Sequence, residues 1–259
     1  MGINETVLEM HFHHALMDLF RHTLGLGRGK FNFYKYSPQK ECFVGFDQAF
    51  VKTDLSPDKL FEILKESAIT RGYSLSTFFV GLFLQYKVVR ELRRRSRVTP
   101  PQITSNPHYR VSLDTRKNIN TGFSQHELLY NLNTNDGALV YYACPMIFDR
   151  SELYEPADLN KLRLADISTC PSPYLDNDSH FIFFADPQAE PIWCSEPIEG
   201  KALSPNEMVI YISQQITLRE FQENQLKLLD ILSKVEKEGK VKMLELVHES
   251  LTIIYYTED

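Results

Sequence analysis

FFVGLFLQYKVVRELRRRSR, residues 78–97, fixes the reading of everything around it. Leu75 to Val89 is largely apolar, the pattern of a strand buried on both faces. It carries Gln85-Tyr86-Lys87 near its end. Residues two apart on a strand share a face, so Gln85 and Lys87 project together. Arg90, Arg93, Arg94, Arg95 and Arg97 follow at once. A charge run is ordinarily a solvated face. Set directly after this strand, it is also placed to grip backbone phosphates.

About forty residues upstream lies KECFVGFDQAFVKTD, residues 40–54, with Asp47 in an extended-looking run. KFNFYKYS, residues 30–37, alternates and reads as a strand. Ser37-Pro38-Gln39-Lys40 then reads as a turn, and Glu41 to Lys52 as the second strand of a hairpin. On a regular strand Glu41 would share a face with Asp47 but lie roughly 20 Å away, too far for one metal. If the Asp47 strand pairs beside the Gln85 strand, a carboxylate, an amide oxygen and an ammonium converge. Those groups suffice to hold a divalent cation beside a phosphate.

Asp47 followed by Gln85-x-Lys87 resembles the D…(D/E/Q)xK signature of the restriction-endonuclease-like, or PD-(D/E)xK, superfamily, in its glutamine form. The likeness covers roughly residues 5 to 145. It implies an α/β fold, a central mixed sheet flanked by helices. The domains expected are a nuclease core over 1–150 and a loop-rich, helical C-terminal extension over 151–259. The resemblance further implies a Mg²⁺ site, with Mn²⁺ as a substitute, on Asp47, Gln85 and the Tyr86 carbonyl, joined by Glu9 from the first helix. Lys87 would position water or neutralise charge. The implied activity is cleavage of DNA phosphodiesters leaving a 5′-phosphate, in a bacterial restriction or anti-phage system. The alternative is the same fold without catalysis, binding nucleic acid or scaffolding a defence complex.

Outward from this core, residues 4–24 read as an amphipathic helix with Asn4 as N-cap and Gly25 and Gly27 as a stop. His11, His13 and His14 lie on it; adjacent residues diverge by about 100° on a helix, so they read as helix surface. Ser56-Pro57 opens a second helix, and residues 108–117 read as a strand. Ser124 with Glu127 forms a capping-box pattern that starts another helix. Gln125 and His126 sit at that helix start, where anions are favoured, and Gln125 is a candidate nucleic-acid contact. Residues 137–145 read as another buried strand. Residues 180–186 and 191–197 read as a strand pair, with Glu196 an outlying site candidate. Residues 206–239 read as helical, with an apolar side fitted to the core or to a partner subunit.

The chain has 259 residues, is 43% hydrophobic and 24% charged, and carries a net charge of −6. An acidic balance argues against a strong stand-alone nucleic-acid binder, so a second protein subunit or a homo-oligomer is expected beside DNA. Cys42, Cys144, Cys170 and Cys194 are scattered without metal-ligand spacing. The sequence holds no apolar run of about eighteen residues and no basic-then-apolar leader. A cytoplasmic protein without a membrane partner is therefore expected. P-loop, GxGxxG, GxSxG and HExxH motifs are all missing.

Overall fold

A computed structural model describes residues 3–25, 31–75, 79–176, 178–194, 196–237, 246–247 and 252–253. In chain order the helices are α1 (Glu5–Leu24), α2 (Pro38–Val44), α3 (Pro57–Ile69), α4 (Gln125–Asn133) and α5 (Pro205–Lys237). The strands are β1 (Asn32–Tyr34), β2 (Gln48–Val51), β3 (Gly81–Tyr86), β4 (Val89–Leu92), β5 (His108–Ser112), β6 (Ala138–Pro145) and β7 (Leu162–Asp166). They continue with β8 (Phe181–Phe184), β9 (Ile192–Cys194), β10 (Ile198–Glu199), β11 (Ala202–Leu203), β12 (Leu246–Val247) and β13 (Thr252–Ile253). The chain divides into two compact units, Met1–Ser213 and Gln214–Asp259.

The first unit is α/β. Its main sheet has six strands in the order β1-β2-β3-β6-β7-β11. β3 and β6 run parallel and every other pair is antiparallel, so the sheet is mixed. The sheet takes β7 and β11 from beyond residue 150. A second sheet, β10-β9-β8-β5-β4, contains the expected strand pair as β8 and β9. The stretch 146–205, expected to be loop-rich, therefore also supplies strands to both sheets.

Helices cover the main sheet on two faces. Phe20 of α1 meets Phe50 edge-on, ring centres 4.3 Å apart. Ala49 and Val51, on the opposite parity of β2, join a core with Leu60 and Leu64 of α3 and Leu129 and Leu132 of α4. β3 is buried at every residue from Gly81 to Tyr86, as its unbroken apolar pattern requires. Phe46 and Phe83 pack at 4.8 Å in this core; burying each such ring contributes about 2–3 kcal/mol.

Residues 38–44 depart from the expected hairpin. They form helix α2, begun by Ser37 and Pro38 and ended by Gly45 at φ +81°. Proline at the first helical position costs no hydrogen bond, and glycine takes the left-handed closing conformation without strain. The chain between β1 and β2 is therefore helical. β1 still pairs with β2, through Asn32–Val51, Phe33–Phe50 and Tyr34–Ala49.

Candidate functional site

The site lies at the carboxyl ends of β3 and β6, the parallel pair at the centre of the main sheet. Crevices beyond the carboxyl ends of parallel strands are where α/β sheets bind ligands. Asp47 sits just before β2, and its N–H donates to the Leu84 carbonyl at 2.9 Å. This pairing lays Asp47 beside Gln85. The Tyr86 N–H donates to Asp47 Oδ2 at 2.7 Å, and Gln85 Nε2 donates to the same oxygen at 2.9 Å. The Gln85 nitrogen also donates to the Tyr86 carbonyl at 3.2 Å. One amide nitrogen thus bridges the two other groups assigned to the cation.

Gln85 Oε1 is buried and has no partner among the described residues. Turning the amide over exchanges its nitrogen and oxygen, which have nearly the same shape. The turned amide sets an oxygen beside a carboxylate and a carbonyl, a donor set suited to a hard divalent cation. Among the described residues no three His, Cys, Asp or Glu side chains form a metal shell. The oxygens gathered here come from one carboxylate, one amide and one backbone carbonyl.

Asp47 is not isolated. Burial first, and then the neighbouring Glu41 carboxyl, push its carboxyl up to about 7 against the opposing Tyr86 N–H. Glu41 is itself raised by burial, and the Asp47 and Glu41 carboxyls each affect the other's hold on its proton. Two neighbouring buried carboxyls cannot both ionise cheaply, so Asp47 keeps its proton to higher pH than a free carboxyl does. Helix α2 is what brings Glu41 here. On the expected strand it would stand too far off, so the sequence reading of Glu41 is corrected.

Lys87 follows β3 and is buried, 6% exposed. Its Nζ donates to Gln125 Oε1 at 2.6 Å and lies 3.5 Å from Glu5. Glu5 and Gln125 belong to the first turns of α1 and α4, so two helix starts from opposite faces of the sheet converge on one ammonium. Asn4 and Ser124 cap those starts, accepting from Val7 N at 2.9 Å and Glu127 N at 3.0 Å. Burial raises the Glu5 carboxyl, an effect that the Lys87 charge opposes.

Glu9, the candidate from α1, is buried and faces β2. It accepts from Lys35 and, at 3.0 Å, from Gln48 Nε2. Its charge adds to the upward shifts of Asp47 and Glu41. The three histidines of α1 form no metal shell among the described residues: His13 and His14 meet edge-on with ring centres 5.5 Å apart, and His13 Nδ1 stands 3.4 Å from Gln48 Nε2.

The arginine run lies on and after β4, an edge strand of the second sheet. All five arginines are exposed. Arg93 pairs with Glu91 at 3.0 Å, and Arg95 donates to the Pro100 carbonyl at 3.2 Å. None lines the hollows beside Lys87. Arg116, between β5 and α4, lines both: an open hollow of about 530 Å³ with Glu5, Lys87 and Asp114, and a smaller one with Glu41 and Gln125. Glu5, Asp114 and Arg116 were missed from the sequence, and Glu41 was set aside as too distant from Asp47. Ser37-Pro38 repeats the Ser56-Pro57 helix-start signature and could have revealed Glu41; the loop residues have no local signal.

His126 is fully buried, with Nδ1 2.8 Å from Tyr142 OH and Nε2 3.1 Å from the Ser172 carbonyl. Cys170 Sγ stands 3.7 Å from His126 Nε2. Burial pushes the thiol up to about 11 and the imidazole down to about 4. Both are neutral at pH 7, so they form no thiolate–imidazolium nucleophile. Glu196 is exposed.

Comparisons of the chain with protein-family models, with curated proteins and with solved structures return no match. No described helix is long and apolar enough to cross a membrane.

Proposed function

We propose that this protein is a Mg²⁺-dependent endonuclease that cleaves DNA phosphodiesters, in a bacterial restriction or anti-phage setting. The observation that carries the proposal is the Gln85 amide bridging the Asp47 carboxylate and the Tyr86 carbonyl, with the Lys87 ammonium two residues further on. Asp47, the turned Gln85 amide and the Tyr86 carbonyl would hold the cation. Bound there, Mg²⁺ supplies Lewis-acid polarisation of a phosphoryl oxygen and a more acidic water. Lys87, released from Glu5 and Gln125, turns its ammonium to the charge that builds on the phosphate as water adds and the 3′-oxygen leaves. Glu9 holds Gln48 and Lys35 in place behind Asp47. Arg116 is the cation placed to meet a neighbouring phosphate.

Lys87 already contacts Glu5 and Gln125, and Asp47 keeps its proton to higher pH beside Glu41. This closed arrangement favours a second reading, a catalytically silent subunit that binds nucleic acid. Plasmid DNA incubated with Mg²⁺ or Mn²⁺ separates the two. The nuclease reading expects nicking by the wild type and a loss of about 100-fold or more in Lys87→Met, the usual cost of removing one charge-stabilising donor. Equal cutting by both proteins would move the chemistry elsewhere. DNA retention without cutting by the wild type would favour the silent subunit.

A further inference from the structure

Helix α5 has 33 residues, a length of about 50 Å at the usual rise. Its first turns bury Met208, Val209 and Ile212. Across the helix from Ile212, the sequence keeps a seven-residue register. Tyr211, Leu218, Gln225 and Leu232 fill the first core position; Gln214, Phe221, Leu228 and Val235 fill the second. Every charge between Tyr211 and Val235 falls on the outer positions: Arg219, Glu220, Glu223, Lys227, Asp230 and Lys234. Neither the seam nor its flanks carry one. Tyr211 is 39% exposed, Leu218 48% and Phe221 49%. Ile216 and the exposed Leu226, both on outer positions, depart from the pattern.

A helix merely solvated on this side would carry charge there. A 3.5-residue apolar period instead selects a second helix of the same period, whose side chains enter the holes between these. We propose that this face is a dimer seam, on which a second copy of the chain forms a parallel two-stranded coiled coil. Charged flanks are what direct coiled coils toward a different partner; the uncharged flanks here give no such direction, and identical chains meet no repulsion. The polar Gln214 and Gln225 in the seam both meet their own copies only when the helices are parallel and in register. The seam is independent of the nuclease reading.

The test uses the full chain. Light scattering at micromolar concentration should give twice the 30.1 kDa mass of one chain. In a Cys42→Ser background, which removes the half-buried native thiol, Leu218→Cys should crosslink under oxidation, and Glu223→Cys on the outer face should not. Leu218→Glu with Phe221→Glu should halve the mass without changing the far-ultraviolet circular dichroism. A monomeric wild type would overturn the proposal. So would a dimer that survives the double substitution, or one in which Leu218→Cys stays unlinked.

Discussion

Asp47 concentrates the chemistry of the site in one titration. Its carboxyl is raised from 3.8 to about 7, first by burial and then by Glu41. A group whose pKa is raised on folding binds its proton more tightly in the folded state. Its contribution to stability is therefore complete below about pH 4 and lost as pH rises toward 7. Without divalent cation, melting temperature should fall across that window, and Asp47→Asn should flatten the fall. Cation binding has the opposite slope, because the ligand must lose its proton. Affinity should rise by about tenfold per pH unit below 7. Glu41→Gln removes the neighbouring charge and should shift that rise to lower pH, read by cation titration at several pH values. The contact of Asp47 with Gln85 was legible because one strand pairing suffices to bring them together. Glu41 was not, because Ser37-Pro38 before a polar pair suits a turn as well as a helix start. Only the packing of α2 against α3 and α4 decides between them.

At the scale of elements, α2 is the piece that sets a second carboxyl beside Asp47. It is closed by Gly45, in the left-handed region at φ +81°. A Cβ there would stand 3.1 Å from the Gln125 carbonyl and 3.1 Å from Leu128 Cβ. Gly45→Ala should cost about 1–2 kcal/mol for the backbone conformation alone, read as a lower urea midpoint. It should also blunt activity, since Glu41 and Gln125 hang from the two helices that meet there. Glu9→Ala removes the acceptor of Lys35 and the shorter contact of the buried Gln48 amide, leaving it His13 at 3.4 Å, and should cost about 1 kcal/mol or more. An unchanged midpoint would show that the triad adds nothing to stability. The strands of the main sheet were legible up to β6, where apolar runs and turn residues alternate clearly. β7, β10 and β11 were not: they are two to five residues long, and their register comes from the sheet edges they join rather than from any pattern of their own.

Over the whole molecule, charge is uneven. A chain of net −6 puts Lys87 and Arg116 at one hollow with Glu5 and Asp114, and Arg116 at a second with Glu41 and Asp114. Such hollows draw a phosphate backbone weakly until a cation offsets the carboxylates. DNA binding should therefore need divalent cation and fall with added salt. Arg116→Glu should weaken it more than Arg94→Glu on the second sheet, read by fluorescence anisotropy with a labelled duplex. Equal losses would place the duplex across both surfaces. The sequence pointed to the arginine run because proximity along the chain stood in for proximity in space. β4 carries that run into a different sheet, whereas Arg116 reaches the crevice from a loop.

Asp47, Gln85 and the Tyr86 carbonyl are proposed above to hold one divalent cation. Calorimetric titration of the full chain with Mn²⁺ at pH 8, wild type beside Asp47→Asn and Gln85→Leu, tests it most directly. A single saturable site is expected in the wild type, lost in Asp47→Asn and weakened in Gln85→Leu. Equal binding by all three proteins, or none by the wild type, would contradict it.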